Sequence, residues 1–282
     1  TVISNKTITK IGSVVLRGLI SLRWSWITNA QNSITGFLTN QIYDQFCAGF
    51  TNNLAMKTVN KLFSKNVYSY LHYSVEGGRD DASFDIHCQT VINSIEFAST
   101  KKNLPFTVFK PTAIGRTAEY EKSEVSQSIY NRFDKICKKA FEKNIKILID
   151  AEESWIQDSI DSLVEMMMKK YNKEKTIVFN TVQMYRHDRL DYLTRILESA
   201  KKNNFKIGIK LVRGAYIEKE NKRAKSLKYE SPICISKNAT DINFDKGVDY
   251  ILSNLDVFSL FCGSHNEKSL YKIIDIDRKS VV

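Results

Sequence analysis

The segment IGIKLVRG at residues 207–214 decides the fold, because it is an apolar run that ends on charged residues and a glycine. Four other apolar runs also end on polar or charged side chains: FTVFK (106–110), IKILID (145–150), TIVFNTVQ (176–183) and FSLFCGSH (258–265). Near-continuous apolar runs are typical of parallel strands that are buried on both faces. Polar residues at the carboxyl ends of such strands form the active-site rim of a (βα) barrel. Because the pattern recurs five times, it indicates an enzyme.

Helical periodicity separates these runs, so strands and helices alternate along the chain. A further strand is predicted at 66–74. Helices are predicted near 85–102, 121–143, 151–168, 186–202, 217–228 and 241–254, and another begins at Glu267. Such alternation requires parallel strands joined by helical crossovers. An open doubly wound sheet would alternate in the same way. We favour the barrel because no GxGxxG follows a strand and because polar residues end five strands instead of marking one switch point.

The length of the chain, 282 residues, limits how much of a barrel it can form. An eight-unit barrel of about 250 residues uses about 31 residues per unit. Only six strands fit before Val282. We therefore expect an α/β fold, an incomplete (βα)8 TIM-type barrel of about six units at residues 66–282, after a helical amino-terminal segment at residues 1–65. Two units, roughly 60 residues, are missing by this count, so we expect the chain to be a fragment.

The composition is that of an ordinary globular protein, with 43% hydrophobic and 26% charged residues. The net charge of +11 and the pI near 9.3 would suit nucleic acid. The lysines are spread along the whole chain, however, so no nucleic-acid partner is expected, and a weak attraction to an anionic membrane surface is the better alternative. The apolar segment at 11–27 is interrupted by Arg17 and Arg23, which predicts an amphipathic helix and not a membrane anchor.

The five cysteines are widely scattered, and they form no CxxC pair and no Cys/His pair with zinc spacing. This pattern predicts free thiols in a reducing compartment and no metal site.

Several residues at the strand ends have the chemistry of a binding site. Lys210 lies inside a buried strand, so its ammonium must be paired or must face a polar cavity. Gly214 lets the backbone approach a ligand closely, and Tyr216 adds an aromatic wall. Gln183 offers an uncharged donor and acceptor that would suit the edge of a heteroaromatic ring.

Other strand ends allow both a functional and a structural interpretation. Lys110 and Asp150 end consecutive strands, so they are expected to be neighbours at the rim. They could form a structural ion pair, or Lys110 could hold a substrate carboxylate while Asp150 fixes the position of the cation. Ser264 and Glu267 match a capping box, which would simply begin a helix. The N–H groups of that helix could equally bind a phosphate close to His265.

Five segments occur in a recognisable order: DAEESWIQ (150–157), FNTVQMY (179–185), KLVRGAYIEKE (210–220), YESPI…KNATD (229–241) and GSHNE (263–267). Together they resemble the proline dehydrogenase family of flavoenzymes, in its monofunctional branch, over about residues 66–275. The resemblance implies a distorted (βα)8 barrel that holds FAD and oxidises L-proline to Δ1-pyrroline-5-carboxylate. Electrons would then pass to a quinone or another acceptor. We expect a cytoplasmic protein that can associate peripherally with the inner membrane, or a mitochondrial one in a eukaryote.

The resemblance also implies roles for individual residues. Asp150 and Lys210 would be catalytic, and Lys210 stands where many relatives have an arginine near the reactive edge of the flavin. Lys110 would bind the substrate carboxylate, Tyr216 would flank the substrate pocket and Glu76 would form a gating ion pair. The residues that would line FAD are Ala151, Gln183, Arg213, Gly214, Ala215, Ser264 and His265.

The sequence departs from the family pattern at a few positions. The last barrel helix of the family carries an Arg-Arg-x-x-Glu-Asn pattern that clamps the proline carboxylate, and no such pattern precedes Val282. Glu76 therefore lacks its expected partner, and we expect weak or no activity from this chain alone. His72 stands where relatives usually have aspartate, and Phe50 where glutamate is common. Two other interpretations remain open: a phosphate- or nucleotide-binding barrel enzyme without redox chemistry, and a basic protein that binds RNA or membranes.

Overall fold

The structure is a computed structural model that describes residues 48–49, 51–72, 78, 80–122 and 125–280, with side chains described as far as residue 275. The chain divides into two compact units, Thr1–Lys61 and Leu62–Val282. Helix α1 (Asn52–Phe63) falls within the segment predicted to be helical. The amphipathic helix predicted at 11–27, together with Phe50 and Glu76, lies outside the described residues.

Strands and helices alternate through the second unit, as the periodicity of the sequence predicts. The strands are β1 (Tyr70–Leu71), β2 (Phe106–Phe109), β3 (Lys146–Ile149), β4 (Val178–Gln183), β5 (Ile207–Val212) and β6 (Phe258–Gly263). The helices are α2 (Asp81–Ser99), α3 (Thr117–Tyr120), α4 (Gln127–Lys143), α5 (Ser154–Tyr171), α6 (Arg189–Asn203), α7 (Ile217–Leu227), α8 (Lys237–Leu252) and α9 (Glu267–Ser280). A 3-10 turn at Pro111–Ala113 follows β2.

Two elements differ from their predicted bounds. β1 has two residues where the sequence predicted a strand over 66–74. At the start of the predicted strand the N–H of Val67 bonds back to the carbonyl of Leu62 and is not available to a neighbouring strand. Residues 73 and 74, at the other end, lie outside the described residues. The helix predicted at 121–143 begins only at Gln127, and the short helix α3 precedes it.

The described strands form one parallel sheet in the order β1-β2-β3-β4-β5-β6. Each strand pairs with the next strand along the chain, for example Leu148 with Phe179 and Lys210 with Phe261. A doubly wound sheet would reverse its strand order at a switch point. The sequential order therefore excludes that alternative and agrees with the predicted barrel.

The sheet curls into a barrel wall. β2 and β6 are four strand spacings apart, which would separate them by about 19 Å in a flat sheet. Instead the ring centroids of Phe106 and Phe261 are 5.1 Å apart, and Tyr70 of β1 is 6.1 Å from Phe261. The fold is thus an incomplete barrel with an aromatic floor. Three further side chains belong to the same cluster: Val108, Leu148 and Phe179.

A buried polar network holds α5 and α6 on the outer face of β4. Arg189 of α6 donates to Asp161 of α5 at 2.8 Å, and only 5% and 6% of these side chains are exposed. Asn180 on β4 donates to the same carboxylate at 2.8 Å. Buried charges are tolerated when they are both paired and hydrogen-bonded, as here. The network therefore fixes the crossover that follows the end of β4.

Asp188 makes the stability of this crossover depend on pH. Burial alone would raise the pKa of Asp188, but hydrogen bonds from Arg189 and Arg186 lower the pKa well below its ordinary value. The folded state therefore gains stability from this carboxylate above the unfolded pKa, which is about 3.9, and loses it as the pH falls further. We expect Asp188→Asn to lower the free energy of unfolding at pH 7 by only about 1 kcal/mol, because 36% of the side chain is exposed.

Urea unfolding of Asp188→Asn and the unmodified chain at several pH values checks this prediction. The difference between the two proteins should shrink steadily below about pH 4. A difference that stays constant down to pH 3 would contradict it.

Candidate active site

A cavity of about 560 Å³ opens at the carboxyl ends of strands β2 to β6. Every predicted site residue among those that the structure describes contributes to its lining. These residues are Lys110, Asp150, Ala151, Gln183, Lys210, Arg213, Gly214, Ala215, Tyr216, Ser264 and His265. The structure thus brings the predicted residues together, while the role assigned to each of them stays a prediction. Glu76 lies outside the described residues.

The centre of the cavity wall carries an ion pair between Asp150 and Lys210. The Nζ atom of Lys210 donates to Oδ1 of Asp150 at 2.7 Å, and the two side chains are only 12% and 16% exposed. Asp150 follows β3 and Lys210 lies on β5, so the pair reaches across β4. The partner considered from the sequence was Lys110, the neighbour of Asp150 in the rim. The carboxylate of Asp150 thus provides the partner that the ammonium of Lys210, inside β5, was expected to need.

Thr181 lies between these two strands and was missed by the sequence reasoning. It pairs in register with Lys210 and lines the same cavity. Its side chain is 5% exposed, and its hydroxyl has no hydrogen-bond partner among the described residues. The signal was present in the sequence, because Thr181 precedes Gln183 by two and alternate residues of a strand face the same side. This hydroxyl can therefore serve a ligand.

Gln183 ties together the loops that follow β3 and β5. Its Nε2 donates to the carbonyl of Glu152 at 2.8 Å, and its Oε1 accepts from the N–H of Ala215 at 3.1 Å. The sequence predicted that this amide would suit the edge of a heteroaromatic ring, and that role stays a prediction. Both ends of the amide are also engaged with backbone, because Gln183 is buried and its polar atoms need partners there.

Glu152 connects the same loop to the turn after Lys110. Its carboxylate accepts from the N–H of Thr112 at 2.8 Å and from the hydroxyl of Thr112 at 2.7 Å. Burial raises the pKa of Glu152, and the two hydrogen bonds from Thr112 oppose that shift. The 3-10 turn that begins at Pro111 is therefore fixed relative to Asp150.

Arg213 anchors the β5 loop to the β6 side of the cavity. Its guanidinium donates to Asp241 at 2.5 Å, to Ser264 at 2.8 Å and to Ser269 at 3.2 Å. The guanidinium carbon also lies 4.2 Å from the ring centroid of Phe244. This environment holds the arginine in one orientation beside the cavity.

The capping box predicted at Ser264 and Glu267 does not form. Helix α9 begins at Glu267 as predicted, but the side chain of Asn266 accepts the N–H of Ser269 at 3.2 Å. The hydroxyl of Ser264 accepts from the N–H of Asn266 and from Arg213. Asn266 is the capping residue because the helix begins directly after it.

Gly214 adopts a backbone conformation that side chains rarely allow, with φ of +137°. A Cβ atom at this position would lie 2.4 Å from the ring of Tyr185. The N–H of Tyr185 in turn donates to the carbonyl of Arg213 at 2.6 Å. Glycine is therefore required both by the dihedral angle and by the close approach of the aromatic ring.

The charges of the lining favour an anionic ligand. The cations are Lys110, Lys210, Arg213 and Lys237, whereas Asp150 is the carboxylate of the lining. Lys237 was not predicted, and it is held by Asp241 at 2.6 Å. Lys237 and Arg213 together lower the pKa of Asp241. A cavity lined mainly by cations attracts phosphate and carboxylate groups. Among the described residues, no cluster of histidine, cysteine and acidic side chains could hold a metal ion.

Comparison with known sequences gives matches to a family model and to individual relatives. The family model described as proline dehydrogenase matches residues 55–281. The chain is 32% identical over 249 residues to the carbapenem antibiotics biosynthesis protein CarD of Pectobacterium carotovorum subsp. carotovorum, covering 84% of this chain and 64% of CarD. It is 34% identical over 160 residues to the human mitochondrial proline dehydrogenase 1, covering 56% of this chain and 26% of that protein. The chain thus spans less than two thirds of either relative.

The fold also matches a solved structure. Proline utilization A (PutA) from Bdellovibrio bacteriovorus, inactivated by N-propargylglycine, superposes with a TM-score of 0.78 and 16% identity. The match covers 88% of this chain and 28% of that protein, and it concerns the fold alone. Together with the family model, which spans most of the second unit, these matches place the chain: it belongs to the proline dehydrogenase family.

Proposed function

We propose that this chain forms the FAD- and proline-binding part of an enzyme that oxidises L-proline to Δ1-pyrroline-5-carboxylate. The observation that carries the proposal is the convergence of Lys110, the Asp150–Lys210 pair and Arg213 on one cavity in a chain of this family. Electrons then pass to a quinone or another acceptor.

The lining of the cavity fits FAD. Arg213 and Lys237, at the β5 and α8 side, suit the two phosphates of a dinucleotide, whereas Lys110 and Lys210 remain for the substrate side. The missing side chain of Gly214 leaves the backbone open to close approach. The buried hydroxyl of Thr181, which has no partner among the described residues, offers a hydrogen bond to a polar ring atom. When bound, FAD would supply the acceptor for the two electrons taken from the substrate.

The residues of the chain would bind and orient proline. Oxidation removes a hydride from the ring carbon next to nitrogen and a proton from the amine, so the ring must be held in one orientation. Lys110 would pair with the proline carboxylate, and Tyr216 would cover the ring. The Asp150–Lys210 pair keeps the ammonium of Lys210 directed into the cavity, and the aromatic floor around Phe261 closes the barrel below it.

Lys110→Ala tests the substrate half of the proposal. A hydrogen bond to a charged group contributes about 1.5–3 kcal/mol, so we expect the KM for proline to rise roughly 10- to 100-fold. The dissociation constant of FAD should change less than about threefold, since other residues would hold the phosphates. Lys102→Ala, at an exposed lysine just before β2, is the matched control.

The assay is the trapping of the cyclic imine product by an ortho-amino aldehyde, with FAD binding followed by flavin fluorescence. It is run on the 282-residue chain and on a version extended by two further βα units. Equal loss of FAD and proline binding in Lys110→Ala would mean that Lys110 supports the fold and not the substrate. A protein that binds phosphate esters but never FAD would favour the barrel enzyme without redox chemistry.

CarD raises the question of which ring the site accepts. That protein is 32% identical to this chain and is named for carbapenem antibiotic biosynthesis. We propose L-proline as the substrate, because Lys110 and Tyr216 suit a small cyclic amino acid. Competition between proline and its ring-substituted analogues in the imine assay decides the point.

We propose that the electron acceptor is reached at an anionic membrane surface, on the cytoplasmic side of the inner membrane or, in a eukaryote, inside the mitochondrion. The human relative is named as mitochondrial. Residues 217–237 support the proposal, since Ile235 is 98% exposed and Leu227 is 59% exposed on a segment that also carries exposed lysines. Apolar side chains beside lysines suit the interface of an anionic bilayer. In the described part of the chain, no helix is both long and apolar enough to cross a membrane.

Sedimentation with lipid vesicles checks this surface. Binding to vesicles with anionic lipid should exceed binding to neutral vesicles, and Ile235→Asp should weaken it several-fold. Ile86→Asp, at another exposed isoleucine on α2, should have little effect. Equal loss in the two variants would contradict the assignment of this surface.

A further inference from the structure

Glu220 is a buried carboxylate for which the proposed reaction has no role. It lies in the first turn of α7 and its side chain is fully buried. Its Oε1 accepts from the N–H of Ser154 at 2.6 Å, and its Oε2 accepts from the hydroxyl of Ser154 at 2.6 Å. Both carboxylate oxygens therefore serve a single residue that is 66 positions away in the sequence.

Ser154 is the first residue of α5, so Glu220 caps that helix from outside it. The residue at the ordinary capping position, Glu153, makes no side-chain capping bond. A carboxylate at a helix amino terminus satisfies free N–H groups and interacts favourably with the helix dipole. Hydrogen bonds of this length to a charged acceptor are among the stronger ones in proteins. The contact thus joins α5 and α7 firmly.

Two neighbouring contacts extend the junction, which we name the α5–α7 seam and define as residues 153–155 with residues 219–223. Lys219 donates to Glu153 at 2.7 Å, and the guanidinium carbon of Arg223 lies 4.4 Å from the Trp155 ring. The side chain of Lys219 is 66% exposed, so its ion pair contributes little. Glu220 is the buried member of the seam, so its hydrogen bonds contribute most of the stability of this junction.

The seam lies directly behind two walls of the cavity. Tyr216 is the capping residue of α7, and its carbonyl accepts the N–H of Glu220 at 2.9 Å. On the other side, only three residues separate Ser154 from Asp150. Tyr216 and Asp150 both line the cavity, although their loops follow strands that are separated by β4. Together with Gln183, which ties the same two loops, Glu220 therefore sets how far the Tyr216 wall stands from the Asp150 wall.

We propose that Glu220 is a positioning residue that acts through Tyr216 to fix the width of the substrate pocket. The proposal rests on the function proposed above. Without the carboxylate, α7 loses the buried part of its attachment to α5 and Tyr216 can move away from the bound ring. Small displacements of groups that hold a substrate are costly, so Glu220→Ala should raise the KM for proline roughly tenfold. The value of kcat should change less than about threefold, because Glu220 does not touch the reacting atoms.

A double-mutant cycle with Tyr216→Ala separates positioning from a general loss of stability. If Glu220 acts through Tyr216, Glu220→Ala should raise the KM about tenfold in the wild-type background and less than about twofold in the Tyr216→Ala background. An equal rise in both backgrounds, or a lower Tm with an unchanged KM, would overturn the proposal. Glu218→Ala removes an exposed acid from the same turn and is the control.

Glu220→Gln protects the test against a variant that fails to fold. Its amide can accept from the N–H of Ser154 and donate to the serine hydroxyl, so its KM should stay within about threefold of the wild type. A KM as high as that of Glu220→Ala would mean that shape and hydrogen bonding at the seam do not suffice to position Tyr216, which would also overturn the proposal.

Hydrogen exchange in the chain without cofactor gives a readout that does not depend on proline oxidation. Glu220→Ala should accelerate exchange of the amides at 152–155 and 216–220, whereas Glu218→Ala should not. If exchange is unchanged, the seam does not hold the two walls and the positioning role is wrong. If exchange accelerates but the wild type never oxidises proline, the proposed function is wrong, while the structural role of Glu220 in the α5–α7 seam is supported.

Discussion

Replacing Lys210 with methionine is expected to lower kcat/KM for proline at least about 100-fold in the FAD-loaded protein. Lys210 is paired with Asp150 at 2.7 Å, and 12% and 16% of the two side chains are exposed. Removing a charged donor that is directed at the reacting groups typically lowers kcat about 100- to 1000-fold. A change of about 2.7 kcal/mol in the activation free energy already corresponds to 100-fold in rate. Methionine keeps the length of the side chain, so the loss reports the charge.

The control for this prediction is an ion pair of the same length in a different environment. Lys170 donates to Asp134 at 2.7 Å, but 50% of the Lys170 side chain is exposed. Lys170→Met should therefore change kcat/KM less than about twofold, since exposed pairs contribute about 0–1 kcal/mol. Stopped-flow measurement of flavin reduction by proline compares the two variants. If Lys210→Met keeps more than half of the wild-type rate, the pair is not part of the site chemistry.

Gly214→Ala is expected to lower the affinity for FAD at least about tenfold and to destabilise the fold. With φ at +137°, any other residue is strained by about 1–3 kcal/mol. The added Cβ would also lie 2.4 Å from the ring of Tyr185. The ring of Tyr185 has little freedom to move away from this Cβ atom, because the N–H of Tyr185 is bonded to the carbonyl of Arg213 at 2.6 Å and its side chain is buried. The loop that carries Arg213 and Ala215 must shift instead.

Titration with FAD and thermal unfolding check this prediction. Gly247→Ala is the matched control, since Gly247 lies within helix α8 and its new Cβ would meet the flexible end of Met184 at 2.9 Å. Alanine also favours a helix over glycine by about 0.5–1 kcal/mol. The control should therefore bind FAD normally. Equal FAD affinity in Gly214→Ala and the unmodified chain would contradict the role of the Gly214 backbone.

Most of the barrel could be predicted from the sequence because the apolar runs of its strands are near-continuous. An apolar run such as 207–214 is typical of a buried parallel strand, and it can be identified without knowledge of the strands beside it. β1 was the exception. Its predicted run is rich in tyrosine and valine, but a turn bond from Val67 to Leu62 keeps Val67 out of the strand that the structure forms.

The members of the candidate site could be predicted better than their contacts. Residues at the carboxyl ends of parallel strands must share one rim, which is why Lys110 through His265 reach one cavity. Which of them pair depends on side-chain length and on the curvature of the sheet. Lys210 bonds to Asp150 across β4, and this contact could not be read from strand order.

Contacts between segments that are distant in the chain could not be predicted from the sequence. Ser264 looked like a helix cap, yet it serves Arg213 from 51 positions away while Asn266 caps the helix. Glu220 falls in the helix predicted near 217–228, and its periodicity gave no sign that the side chain is fully buried against Ser154. Local patterns predict secondary structure, whereas such pairings depend on how helices pack.

Anaerobic reduction of bound flavin by L-proline tests the central claim most directly. The account predicts that the version extended by two further βα units, loaded with FAD and freed of oxygen, loses its visible flavin absorption when L-proline is added, and that D-proline and buffer leave the absorption unchanged. An extended version that retains stoichiometric FAD and shows no loss of absorption with L-proline would contradict the account.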